Sequence, residues 1–80
     1  MGKSLHTQRY ARFRRLLVEA RKASGLTQIQ VAKRLRATQS YVSKCELGER
    51  RVDLIELLDF ADAVGFDLSD FLRKLEQKKR

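Results

Sequence analysis

The chain contains no proline, and its glycines and small polar residues fall where helices stop and start. Three of its four glycines (Gly25, Gly48 and Gly65) each close an amphipathic stretch. There glycine supplies the left-handed backbone that helices favour at their ends. Thr27-x-x-Gln30 and Asp53-x-x-Glu56 are capping boxes, in which a side-chain oxygen takes an orphan amide and the fourth residue reaches back to the cap. Thr38 and Asp67 are further N-cap residues. This punctuation divides the chain into five helices. The first runs from Gln8 to Ala23 and has no evident cap. The second runs from the Thr27 cap to about Leu35, and the third from Gln39 to Leu47. The fourth follows Asp53 and the fifth follows Asp67.

The apolar residues repeat at helical spacing within these segments. Phe13, Leu16, Leu17 and Ala20 share one face of the first helix. Ile29, Ala32 and Leu35 form the inward side of the second, with Leu26 and Val31 as a hydrophobic staple. Leu54, Leu57, Leu58, Ala61 and Val64 make the buried stripe of the fourth, and Leu68, Phe71, Leu72 and Leu75 the apolar face of the fifth. Eighty residues allow one small domain, set at 8–76, with mobile residues 1–7 and a basic tail at 77–80. Only Arg36-Ala37 separates the second helix from the Thr38 cap. Helices joined so tightly cross at a steep angle, so residues 27–47 read as a helix-turn-helix.

The net charge of +8 is unevenly spread, at +6 over residues 1–24, +4 over 25–52 and −5 over 53–76. A polyanion suits the first two thirds, against the plainer explanation of a solvated basic face. Other classes are excluded. Cys45 is the one cysteine and His6 the one histidine, so neither a disulfide framework nor a zinc site can be assembled, and no metal or cofactor is expected. No apolar run approaches a membrane span or a secretory signal, which points to a reducing, cytoplasmic compartment. His6 lies in an end segment without a Ser, Cys or carboxylate to work with, and no Gly-rich phosphate loop is present; the chain reads as non-enzymatic.

The third helix is the most informative. On a wheel of about 100° per residue, Gln39, Ser40, Ser43, Lys44 and Leu47 fall within an arc of about 140°, with Tyr41, Val42, Cys45 and Glu46 opposite. Gln, Ser and Lys are residues that hydrogen-bond to base edges, and short side chains let a helix enter a major groove. An ordinary surface helix would look similar. The conjunction with the flanking motifs is more specific. The stretch Gly25-Leu26-Thr27-Gln28 … Val31-Ala32-Lys33-Arg34-Leu35, followed by Gln39-Ser40-Tyr41-Val42-Ser43-Lys44 and Glu46-Leu47-Gly48-Glu49-Arg50, resembles the XRE, or phage repressor/Cro, helix-turn-helix family. The close match covers residues 25–50, and a looser one about 13–75.

The resemblance implies an all-α, five-helix, lambda-repressor-like DNA-binding domain. It implies that Gln39, Ser40, Ser43 and Lys44 read bases. Gln28, at a helix N-terminus suited to anions, would hold a phosphate, with Thr27, Thr38, Tyr41, Arg36, Arg50 and Arg51 along the DNA backbone. It also implies an ion pair between Arg21 and Glu46 beneath the turn. The sequence departs from the family at Arg36, where glycine is frequent, and at Cys45, where an aliphatic residue is usual. A left-handed Arg36 would cost roughly 1 kcal/mol. Cys45 reads as a small buried hydrophobe rather than a redox sensor.

The function implied is a sequence-specific regulator of transcription, a repressor acting as a homodimer on a palindromic operator with half-sites about one helical turn apart. An antitoxin and a restriction-modification controller protein use similar folds and stay open as alternatives. A toxin or RNA polymerase as a further partner is open in the same way; no membrane partner is expected. A basic first helix binding an acidic partner is weaker, because its apolar face is needed for the core. Phe66, Leu68, Phe71, Leu72 and Leu75 exceed what one short helix usually buries, and some of them are expected to face a second copy.

Overall fold

The computed structural model describes residues 7–77 and contains, within them, five α-helices and no strand. These are α1 (Gln8–Ala23), α2 (Gln28–Leu35), α3 (Gln39–Leu47), α4 (Leu54–Val64) and α5 (Leu68–Glu76). The expected mobility of 1–7 and the basic tail at 77–80 fall outside the described residues, except at Thr7 and Gln77. Those two belong to the domain. Thr7 caps α1 by accepting a hydrogen bond from the Tyr10 amide at 3.0 Å, a start signal the sequence reading missed. Gln77 caps α5, and its carbonyl accepts from Arg12 Nη1 at 2.6 Å.

Both capping boxes form, at Thr27/Gln30 and at Asp53/Glu56. α2 ends on Arg36, the only non-glycine residue with positive φ among the described residues (φ 58°, ψ 42°). Its backbone strain lets the chain turn into the Thr38 cap within two residues. Gly48 closes α3 at φ 83°, and a Cβ there would lie 2.6 Å from Arg14 Cδ. Arg14 uses that space to donate from Nη1 to the Glu46 carbonyl at 3.1 Å. Glycine at 48 therefore serves both the left-handed turn and the docking of α1 against the end of α3.

α1 packs against α3 and α5, while α2 packs against α3 and α4. The core between them holds Phe13, Leu17, Val31, Ala32, Val42, Cys45, Leu57, Phe60, Ala63, Val64 and Phe71. Three expectations for the apolar faces need correction. Ile29 is exposed, and Val31 and Ala32 take the inward positions of α2. Leu54 and Leu58 are exposed as well, at 63% and 40%, because α4 turns Leu57, Phe60, Ala61, Ala63 and Val64 inward. Phe71, expected among candidates for a second copy, is 5% exposed and meets Phe13 edge-on with ring centroids 5.7 Å apart. Phe66, Leu68 and Leu75 are partly buried against the same core, which leaves Leu72, at 39%, as the exposed member of that group.

Candidate nucleic-acid interface

α3 is held by its inner side. Val42 and Cys45 are fully buried, and Tyr41 stacks on Phe60 with centroids 6.1 Å apart. Burial raises the Cys45 thiol above its ordinary pKa, which suits a packing residue and disfavours the reactive thiolate. Burial likewise raises the Tyr41 phenol. With that side fixed, Gln39, Ser40 and Lys44 are exposed on the other, with Ser43 half-buried between them. Leu47 is exposed at the C-terminal end of the helix. The wheel drawn from the sequence and the burial of the folded helix agree except at Tyr41 and Ser43, which are both half-buried.

Beneath this face lies a polar network. Arg21 Nε donates to Glu46 Oε2 at 2.6 Å and its Nη2 to Oε1 at 3.1 Å, while Nη1 donates to the Leu26 carbonyl at 2.9 Å. The two side chains are 12% and 5% exposed, so this is a buried, two-pronged ion pair. Glu46 Oε1 also accepts from Gln28 Nε2 at 2.9 Å, and Gln28 Oε1 accepts from Gln39 Nε2 at 3.1 Å. Gln28 and Gln39 are the first residues of α2 and α3, each following a threonine cap. The tight turn between the helices thus brings two helix N-termini and their leading amides side by side. Among the described residues no buried side-chain nitrogen or oxygen lacks a partner.

The other residues expected along a DNA backbone are placed more variously. Thr27 and Thr38 are exposed caps whose hydroxyl oxygens accept from the Gln30 and Tyr41 amides, each at 3.1 Å. Arg36 and Arg51 are exposed. Arg50 is tied to the protein: Nη2 donates to Glu56 Oε2 at 2.9 Å, Nη1 to the Arg51 carbonyl at 2.8 Å, and its guanidinium lies 4.8 Å from the Tyr41 ring centroid. Glu56 is held below the usual carboxylate range, first by the Asp53 amide of its capping box and then by Arg50. A phosphate at Arg50 would share it with Glu56.

Part of the basic charge is structural, which sequence reasoning missed. Arg12 Nη1 donates to the Leu75 carbonyl at 3.0 Å, Arg14 to that of Glu46, and Arg34 Nη1 to that of Ala63 at 2.8 Å. Each satisfies a carbonyl in the last turn of a helix, where the backbone has no intrahelical donor. Long cationic side chains give no sign in sequence of which carbonyl they will reach. Tyr10 is a further missed tie: its hydroxyl accepts from the Val52 amide at 3.0 Å and fixes the loop after α3 to α1.

A family model described as a helix-turn-helix domain matches residues 12–75. The solved structure of an XRE-family like protein from Pseudomonas syringae pv. tomato str. DC3000 is similar throughout, with a TM-score of 0.85 and 49% identity, covering 92% of this chain and 90% of that one. No curated protein matches. Among the described residues no helix is long and apolar enough to cross a membrane. Two helices joined by a tight turn, a polar outer face on the second and relatives of the same build agree: the chain belongs to the XRE family of helix-turn-helix proteins and has the fold of a DNA-binding regulator.

Proposed function

We propose that the protein is a sequence-specific repressor of transcription that binds double-stranded DNA as a homodimer on a palindromic operator. The observation that carries this is the outer face of α3. Gln39, Ser40, Ser43 and Lys44 stand together on a helix whose opposite side is locked into the core. Such a helix offers donors and acceptors to base edges at little cost in reordering. Gln28, Arg36 and Arg51 flank it as phosphate contacts, which set register while the α3 side chains set sequence. Repression follows from occupancy of a promoter, since DNA binding alone suffices for it.

The homodimer is supported by apolar side chains that the protomer leaves in water. On α4, Leu54, Ile55 and Leu58 are 63%, 64% and 40% exposed and lie on one side of the helix, at i, i+1 and i+4. Leu72 adds an exposed position on α5. Surfaces of this kind mark association sites. Selection of bound duplexes from a random pool at about 150 mM salt tests the proposal. Two inverted half-sites about 10–10.5 base pairs apart are expected. Uniform, salt-sensitive retention with no motif would leave a basic domain without sequence specificity.

A further inference from the structure

Given the DNA binding proposed above, on which this rests, we propose that Glu56 and Tyr41 hold the Arg50 guanidinium as a preformed fork for one DNA phosphate. Glu56 is then a positioning residue for a contact that it does not itself make.

Arg50 lies in the loop just after α3, and its backbone amide donates to the Lys44 carbonyl at 3.2 Å. Its side chain therefore starts beside the last turn of the helix that carries the reading face. Three restraints then meet on the guanidinium from different directions. Its carbon lies 4.8 Å from the Tyr41 ring centroid, and Tyr41 stacks in turn on buried Phe60. Nη1 donates to the Arg51 carbonyl at 2.8 Å. Nη1 and Nη2 donate to Glu56 Oε1 and Oε2 at 3.3 Å and 2.9 Å. Glu56 is itself fixed, because its Oε1 accepts from the Asp53 amide at 2.9 Å in the capping box of α4. The guanidinium is thus tied to the core, to its own loop and to the start of α4.

A guanidinium carries five N–H groups in a rigid plane. Glu56 takes one from each terminal nitrogen, and the Arg51 carbonyl takes the second one on Nη1. Nε–H and the other hydrogen of Nη2 are left, parallel along one edge, with no partner among the described residues. Two parallel donors fit two oxygens of a phosphate. The Arg50 side chain is 43% exposed against 24% for Glu56, so the arginine is the member of the pair more open to a ligand. Anchored on Tyr41 beyond the end of α3, the fork reaches no base edge without leaving its anchors, and it meets the backbone that flanks the groove. An arginine free in water loses rotamer freedom on gripping a phosphate, whereas Arg50 has lost much of it in folding. Glu56 also repels the phosphate. Across the width of the guanidinium, in water and salt, that repulsion is weaker than the gain in order.

The test is a double-mutant cycle of Arg50→Ala and Glu56→Gln, read as dissociation constants on the duplex that wild type selects, with urea midpoints beside them. Arg50→Ala is expected to weaken binding about tenfold. Arg50→Lys should weaken it nearly as much, because an ammonium has no fork. Glu56→Gln is expected to weaken binding about fivefold at neutral pH and to cause no loss in the Arg50→Ala background. Phosphates are also replaced one at a time by methylphosphonate. One phosphate per half-site should be found whose neutralisation harms wild type but not Arg50→Ala, and harms Glu56→Gln less than wild type. Base preferences should stay those of wild type throughout. Tighter binding by Glu56→Gln, an equal loss in both backgrounds, wild-type binding by Arg50→Lys, or a changed base preference in place of a phosphate effect overturns the inference. A wild type that retains duplex without selecting a motif overturns the proposed sequence specificity alone, and the same cycle on a mixed-sequence duplex then decides the role of Glu56. A wild type that binds no duplex overturns both.

Discussion

Helices α3 and α4 each turn one side to the core and one to water, but the large aliphatic side chains left in water are concentrated on α4. α3 shows Gln39, Ser40 and Lys44 to solvent and buries Val42, Cys45 and a paired Glu46. α4 shows Leu54, Ile55 and Leu58, with Asp59 and Asp62 beside them, and buries Leu57, Phe60 and Val64. A polar exposed face needs no partner for stability, so its cluster of base-reading residue types points to selection for contact. An apolar exposed face is costly in water and points to a surface that is covered. In the proposed function the two faces meet two kinds of partner, a DNA groove at α3 and a second copy at α4.

The largest expected effect lies under α3. Arg21→Ala would leave Glu46 charged and buried with only Gln28 for company, and is expected to destabilise the fold by about 3–5 kcal/mol in urea melts. An unchanged melt would mean that α3 does not depend on its polar underside. Lys44→Ala touches only the exposed side. It should weaken operator binding by roughly 1–3 kcal/mol and relax preference at one position, leaving the urea midpoint near that of wild type. Unchanged operator preference, measured by competition with mismatched duplexes, would move the reading face elsewhere.

Ile55→Ser examines the other helix. Ile55 is 64% exposed, so the protomer should lose little stability. If a second copy covers it, sedimentation equilibrium should show dimer dissociation strengthened about tenfold or more, in line with the burial of one aliphatic side chain. An unaffected dimer would remove α4 from the interface. The smallest effect is at Glu56, which joins the loop after α3 to the start of α4. Its folded pKa is depressed, so its contribution is present above the ordinary glutamate value of about 4.3 and is lost as pH falls through the lower folded value. Glu56→Gln should lower the melting temperature slightly at neutral pH, and the gap from wild type should close in acid. A gap that widens in acid would contradict the assignment.

The same two helices show what the amino-acid sequence can and cannot convey. α3 alternates polar and apolar residues at helical spacing, so its wheel already separated the inward residues from the outward ones. α4 is apolar at eight of its eleven positions, Leu54, Ile55, Leu57, Leu58, Phe60, Ala61, Ala63 and Val64, so its apolar arc is wider than one core-facing side and leaves open which edge is buried. Tertiary packing made that choice, and it left Leu54 and Leu58 out. Helix boundaries were legible because Thr27, Thr38, Asp53 and Asp67 act through residues three positions on. The contacts of Gln28 with Gln39 and Glu46 span 11 and 18 residues and carry no local mark. Arg12, Arg14 and Arg34 were hidden for a related reason: a cation that caps a distant carbonyl looks in sequence like any surface charge.

The most direct measurement is a nitrogen-15 NMR titration of the protein with a duplex carrying its selected site. Backbone and side-chain signals of Gln28, Gln39, Ser40, Ser43 and Lys44 are expected to move first and farthest. Signals of Leu54, Ile55, Leu58 and Leu72 should instead respond to protein concentration in the absence of DNA. Perturbations centred on α4 or α5 upon adding the duplex, with α3 unmoved, would contradict this division of the surface.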